Sequence, residues 1–166
     1  MKKSKVAILI IVIIILIMAF FGYFFVISPS FVTKPDIPKT TLASSSEIES
    51  SHVNWILNEV GAYKLHSSLY LFGEPAVIES VITDQNQVFT TTINNNVPST
   101  VNGPAASPDI RFIMAADNFA KLYATSDILA NAQQMRKNGE ITIEILKGES
   151  ALAAKGYKAI YDSLPE

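Results

Sequence analysis

Cysteine is absent from all 166 residues of the sequence. This excludes disulfide bonds, thiolate nucleophiles and cysteine-ligated metal sites, as well as the lipid-bearing cysteine of a bacterial lipoprotein. Histidine is nearly absent too, since only His52 and His66 occur, and they are not at a spacing that metal sites use. We therefore predict no metal site. We interpret His52 as a residue on a helix surface and His66 as a loop residue.

Positive charge is scarce beyond the N-terminus. Three of the 13 lysines and arginines lie in the first five residues, which leaves 10 against 15 acidic residues and a net charge of about −5 for the remainder. Such a surface repels the phosphates of nucleic acids, so we expect no nucleic-acid partner.

Catalytic motifs are lacking as well. The sequence has no phosphate-binding glycine loop, nucleophile elbow or dinucleotide-binding fingerprint. Glu140 and Glu144 alternate with isoleucines, which is more typical of the solvated face of a strand than of an acid–base pair. We therefore expect no catalytic residues, no cofactor and no enzymatic activity.

A long apolar run lies at the N-terminus. Residues 6 to 27 form an uncharged run of 22 residues after a basic head, residues 1 to 5. A helix of this length matches a hydrocarbon core of about 30 Å. The run is longer than the apolar region of a signal peptide and has no small-x-small cleavage site at its end. It predicts an uncleaved single-pass anchor in the cell membrane, with the lipid bilayer as partner, the lysines in the cytoplasm and the rest of the chain outside.

The remainder divides into a linker and a domain. Residues 28 to 46 are rich in proline, serine and threonine and have no apolar period, which predicts a linker. In the domain, residues 47 to 166, helical spacing covers residues 47 to 60, and two Val-, Ile- and Thr-rich strands flank a turn at residues 84 to 86. The pattern leaves open whether residues 69 to 72 are a strand or the end of a helical region.

The C-terminal part of the domain has the clearest alternation of elements. Period-two patterns predict strands at residues 109 to 115 and 140 to 145, and helical spacing predicts two helices between them and one after them, ending near Leu164. We therefore predict an α+β fold. After the transmembrane helix, a mostly antiparallel sheet of about five strands is covered by helices.

Three segments carry a resemblance to a known family: residues 108–114 (PDIRFIM), 117–122 (DNFAKL) and 138–143 (NGEITI). They resemble the C-terminal half of the sterol carrier protein type 2 family, in which such a strand precedes a helix and a second helix ends at a glycine before the next strand. The resemblance implies a sterol carrier-like domain that binds a lipid, an isoprenoid or a fatty acyl chain between sheet and helices. This chain departs from the family where residues 145 to 147 intervene before Gly148 and Glu149.

Two functions from different classes follow. In the first, the domain is a membrane-tethered, outward-facing carrier whose apolar residues line an internal cavity. The candidate lining residues are Ile110, Phe112, Met114, Phe119, Leu122, Met135, Ile141, Ile143 and Tyr157. In the second, the same residues fill a solid core, and the domain is a surface interaction or structural module without a ligand. The sequence identifies no protein partner, and the presence of a cavity discriminates between the two functions.

Overall fold

The computed structural model describes residues 3 to 22, 32 to 66 and 73 to 161. The chain divides into two compact units, Met1–Val32 and Thr33–Glu166. Some predicted features lie outside the described residues: the first two residues of the basic head, residues 23 to 27 of the predicted anchor, the undecided segment at 69 to 72, and Leu164.

The first unit contains helix α1, Lys3–Gly22. Its large apolar side chains from Ile11 to Met18 and that of Phe20 are exposed. Among the helices that the structure describes, none has the length and apolarity that a membrane crossing requires. The predicted membrane span at residues 6 to 27 is therefore not confirmed.

The second unit is built on one five-stranded sheet with the order β3-β2-β1-β4-β5. The strands are β1 Ala76–Ile82, β2 Gln87–Asn94, β3 Val97–Asn102, β4 Ile110–Met114 and β5 Ile141–Ile145. Three neighbouring pairs are antiparallel, whereas β1 and β4 are parallel. The predicted α+β class and the number of strands are confirmed, and the sheet is mixed. The parallel pair arises because the chain adds β2 and β3 on one side of β1 and then crosses to the other side.

Helices cover one face of this sheet. They are α2 Ser50–Glu59, a 3₁₀ turn Ala62–Lys64, α3 Ala116–Ala124, α4 Ile128–Lys137, α5 Glu149–Ala154 and α6 Tyr157–Tyr161. Helix α4 begins where Asp127 Oδ1 accepts a hydrogen bond from the Ala130 amide at 3.1 Å. The predicted single C-terminal helix is divided into α5 and α6, because Gly156 adopts a left-handed conformation (φ 83°) between them.

The core lies between the helices and the covered face of the sheet. Along β1, Ile78 and Ile82 are fully buried, whereas Val77 and Val81 on the opposite face are half-buried. Burial falls off along β5, from a buried Ile141 through a half-buried Ile143 to Ile145, which is 51% exposed. The burial decreases because β5 is an edge strand that the helices cover only at its start.

His52 differs from its predicted position on a helix surface, since it is only 3% exposed. Its Nδ1 accepts a hydrogen bond from the Glu49 amide at 2.9 Å at the start of α2. Its Nε2 therefore carries the proton and donates to the Thr41 carbonyl at 3.2 Å, while the ring meets Tyr123 edge-on at 5.2 Å. The prediction was wrong because residues that precede α2 fold back over this side chain.

Those residues form a strap, residues 33 to 46, which has almost no regular structure and lies against the rest of the second unit. Tyr123 donates a hydrogen bond from its hydroxyl to the Thr40 carbonyl at 2.6 Å. Lys39 donates to the Tyr123 carbonyl at 2.7 Å, and its ammonium lies 4.2 Å from the centre of the Trp55 ring. Leu42 packs against the core. In the part that the structure describes, the segment predicted as a linker is thus in contact with the domain.

The strap contacts predict that a domain starting at Thr33 is more stable than one starting at Glu47. Loss of the Leu42 contact and of the Tyr123 hydrogen bond should cost about 2 kcal/mol, which corresponds to a melting temperature lower by about 8 °C. Thermal unfolding of the two fragments followed by circular dichroism measures the difference. Leu42→Ala in the longer fragment should cause an intermediate loss, and equal melting temperatures for the two fragments would contradict the prediction.

Candidate functional site

An apolar crevice lies between the covered face of the sheet and the helices α2, α3 and α4. It is lined from the helices by Val53, Ile56, Leu57, Val60, Phe119, Leu122, Ala132 and Arg136, and from the strands by Ser80, Val81, Ile82, Phe112, Met114, Ile141 and Ile143. Its internal volume is about 30 Å³.

Helical and strand periodicity explain why these side chains meet. Val53, Ile56 and Leu57 on α2, and Val60 directly after it, recur at intervals of three and four residues, which places them on one stripe of the helix. On β4, Phe112 and Met114 are two residues apart and so point to the same face of the sheet. The stripe of α2 and this face of the sheet thus form two opposite walls of the crevice.

Six of the nine residues predicted to line a cavity do line the crevice: Phe112, Met114, Phe119, Leu122, Ile141 and Ile143. The other three, Ile110, Met135 and Tyr157, are buried elsewhere in the core. The prediction missed the wall formed by α2, although its apolar spacing is visible in the sequence, because the family resemblance covers only the later segments. It also missed Ser80, which no local pattern distinguishes from other core positions.

The volume of the crevice limits the size of the molecule that it can hold with its walls in their observed positions. A space of about 30 Å³ accommodates about one water molecule, whereas ligand pockets typically measure about 300 to 1,000 Å³. A cavity large enough for an acyl chain is therefore not preformed. Such a ligand enters only if one wall moves.

Helix α4 is the wall that buries the fewest side chains. Three of its residues are buried, Ile128, Ala132 and Met135, and the small side chain of Ala132 faces the crevice. Helix α2 buries five residues. After α4, Gly139 adopts a left-handed conformation (φ 74°), which ends the helix. Displacement of α4 would thus expose less apolar surface than displacement of α2.

Polar groups in the crevice are few. Arg136 is the one charged side chain in the lining, and it is half-buried. Ser80 is the one uncharged polar side chain, and it is 5% exposed. An apolar lining with a small number of polar groups is typical of sites that bind small apolar molecules.

A second cluster of buried polar groups surrounds Asp109, which is fully buried at the start of β4. Lys155 Nζ donates to Asp109 Oδ1 at 2.7 Å, and Tyr157 donates from its hydroxyl to Oδ2 at 3.0 Å. The Val77 amide also donates to Oδ2, at 2.7 Å. Burial, and then the charge of Asp109, raises the pKa of Tyr157 far above its ordinary value, so the phenol remains a hydrogen-bond donor. Both carboxylate oxygens are occupied, which indicates a structural role.

A third cluster lies on the uncovered face of the sheet. Arg111 Nε donates to Glu79 Oε1 at 2.6 Å, and its Nη1 donates to Glu144 Oε2 at 2.9 Å. These two hydrogen bonds raise the pKa of Arg111. Glu79 is only 3% exposed and also accepts a bond from the Ala105 amide at 2.9 Å. Glu144 is therefore paired with a cation across the strands, on the partly solvated face that its alternation with isoleucines predicts.

Comparison with known proteins gives distant structural likenesses. No protein-family model and no curated protein matches the chain in sequence. A solved structure of the UbiJ-SCP2 ubiquinone synthesis protein is 14% identical, with 55% of this chain and 73% of that chain covered and a TM-score of 0.35. The inverting sec-alkylsulfatase Pisa1 from Pseudomonas sp. is 14% identical, with 55% of this chain but 13% of that chain covered and a TM-score of 0.32. At these TM-scores the likenesses establish neither a common fold nor a common function.

The Asp109 cluster predicts a strong coupling between Asp109 and Lys155. Asp109→Ala should lower the free energy of unfolding by about 3 to 5 kcal/mol, because it leaves the Lys155 ammonium buried without its counter-ion. The double variant Asp109→Ala/Lys155→Met should lose less than the sum of the two single losses. Urea unfolding monitored by fluorescence measures the free energy of unfolding of Asp109→Ala, Lys155→Met and the double variant.

A matched control for this pair is Glu144→Ala, which breaks the more exposed ion pair with Arg111. It should cost about 1 kcal/mol or less. Additive losses at Asp109 and Lys155 would contradict the coupling.

Proposed function

We propose that the domain binds an apolar molecule, such as a fatty acyl or isoprenoid chain, in the crevice beneath α4, and that it is a binding domain rather than an enzyme. The observation that carries the proposal is the lining of the crevice, in which apolar side chains from α2, α3, α4 and three strands converge around one buried hydroxyl and one half-buried guanidinium. The order strand, helix, helix, strand over residues 110 to 145 also agrees with the resemblance to the sterol carrier protein type 2 family.

Binding requires α4 to move, and the energies allow it. Exposure of Ile128, Ala132 and Met135 would cost roughly 5 kcal/mol, and each methylene group of a ligand that enters recovers about 0.8 kcal/mol. A chain of roughly six methylene groups therefore offsets the displacement. Longer chains should bind progressively more tightly until the crevice is filled.

The alternative is a solid-cored interaction or structural module, and the observation that favours it is the internal volume of about 30 Å³. In that case α4 is a fixed part of the core. The two functions differ in whether a bulky side chain at the crevice wall is tolerated.

Ala132→Trp tests the proposal, because Ala132 lines the crevice from α4. The indole should occupy the space that the ligand would take, so uptake of a fluorescent long-chain fatty acid and recovery of copurifying lipid in native mass spectrometry should both be lost. If α4 yields as proposed, the free energy of unfolding should fall by about 1 kcal/mol or less.

The matched control is Ala130→Trp on the exposed side of the same helix, which should leave uptake unchanged. Absence of bound lipid from the wild-type protein, together with a loss of about 1 to 3 kcal/mol or more in Ala132→Trp, would indicate a solid core instead.

We further propose that the N-terminal unit tethers the domain to the cell membrane, with Met1 in the cytoplasm and the domain outside. The support comes from the sequence, in which Lys2, Lys3 and Lys5 precede an uncharged run of 22 residues. Protease added to intact cells should remove a C-terminal tag while a cytoplasmic marker stays whole. Full protection of the tag, with digestion after permeabilisation, would contradict this orientation.

A further inference from the structure

Ser80 occupies an unusual position for a hydroxyl group. It lies in the middle of β1, the central strand of the sheet, and its neighbours on the two flanking strands are Phe89 and Phe112. It is 5% exposed and lines the crevice. None of the hydrogen bonds found among the described residues involves its hydroxyl. Its oxygen is not one of the fully buried side-chain atoms without a partner, which are Asn58 Oδ1, Gln85 Oε1 and Gln87 Oε1 in the described part of the chain.

The fully buried hydroxyl of Thr91, on the same face of the sheet, has hydrogen-bond partners. Thr91 Oγ1 lies 2.7 Å from Thr100 Oγ1, which in turn donates to Asn54 Oδ1 at 3.0 Å. The positions before and after Ser80 on this face are isoleucines. Ser80 thus places one hydroxyl in an otherwise apolar row of β1 that faces the crevice.

A water molecule that fits in the crevice would find two polar side chains in the lining, Ser80 and the half-buried Arg136, which is the smallest number of partners that buried waters use. The backbone groups of β1 at this position are engaged in the sheet with β2 and β4. A polar atom that arrives together with an apolar molecule would supply the missing partner.

We propose that Ser80 donates a hydrogen bond to an oxygen atom of the ligand, so that the crevice selects apolar molecules that carry a carbonyl oxygen over pure hydrocarbons of the same shape. This inference rests on the proposed function, because it names the ligand class of the same crevice. The apolar body of the ligand contacts the walls formed by α2 and α4, and its oxygen meets Ser80 on the floor formed by the sheet.

The test uses two long-chain probes of nearly equal shape, 2-hexadecanone and 2-methyl-1-hexadecene, and the purified full-length chain. Their affinities for wild type and for Ser80→Ala are measured by displacement of an environment-sensitive dye. Because the ketone loses more hydration than the alkene, the informative quantity is the change in the ratio of the two affinities. Ser80→Ala should weaken binding of 2-hexadecanone by about five-fold and change binding of 2-methyl-1-hexadecene by less than two-fold.

Stability gives the second readout. Since Ser80→Ala removes a hydroxyl without a partner, its melting temperature should equal or exceed that of wild type. The control Ser126→Ala, an exposed serine before α4, should change neither affinity. Equal weakening of both probes, or of neither, would overturn the role of Ser80 and leave the proposed function standing. Failure of both probes to bind the wild-type protein would overturn both.

Discussion

The arrangement of the sheet and the C-terminal helices depends on the hydrogen bonds and the ion pair that the buried residue Asp109 forms. Its side chain accepts a hydrogen bond from Val77 at the start of β1, and its own amide donates to the Val77 carbonyl at 2.8 Å. Its backbone carbonyl accepts from Leu146 just after β5. The buried ammonium of Lys155 then attaches the end of α5. One residue thus fixes the register of the parallel pair, the end of the edge strand and the docking of the last helices.

The predictable features of the fold are those that local periodicity determines. The alternation of apolar and polar residues around Phe112 predicts strand β4, and the spacing of apolar residues predicts helix α4. Each pattern is complete within one segment of the chain. The parallel pairing of β1 with β4 is not visible in either strand, since it depends on where the chain crosses after β3. The burial of His52 follows from the strap that covers it, and the exposure of Ile145 follows from the edge position of β5. Both depend on distant residues.

The free volume of the crevice, like the parallel strand pairing, cannot be predicted from local sequence patterns. Apolar residues such as Phe119 and Leu122 face inward whether they line a cavity or fill a core, so the sequence predicts their burial but not the free volume between them. That volume depends on the distance between helices and sheet, which small side chains such as Ala132 reduce. The observed value of about 30 Å³ shows that the walls are nearly in contact.

The two helical walls of the crevice are not held equally firmly. The strap fastens α2 at both ends, because His52 donates to the Thr41 carbonyl near its start and Asn58 donates to the Pro35 carbonyl at 3.0 Å near its end. The described strap hydrogen bonds reach α2, α3 and the β1–β2 turn, and none reaches α4. A ligand that pushed the walls apart would displace α4 at a lower cost than α2, because α4 buries three residues and α2 buries five, and the sheet would keep its position. Ser80 lies on the part that stays fixed, so its hydroxyl keeps its orientation as the crevice widens, as a group that positions a ligand must.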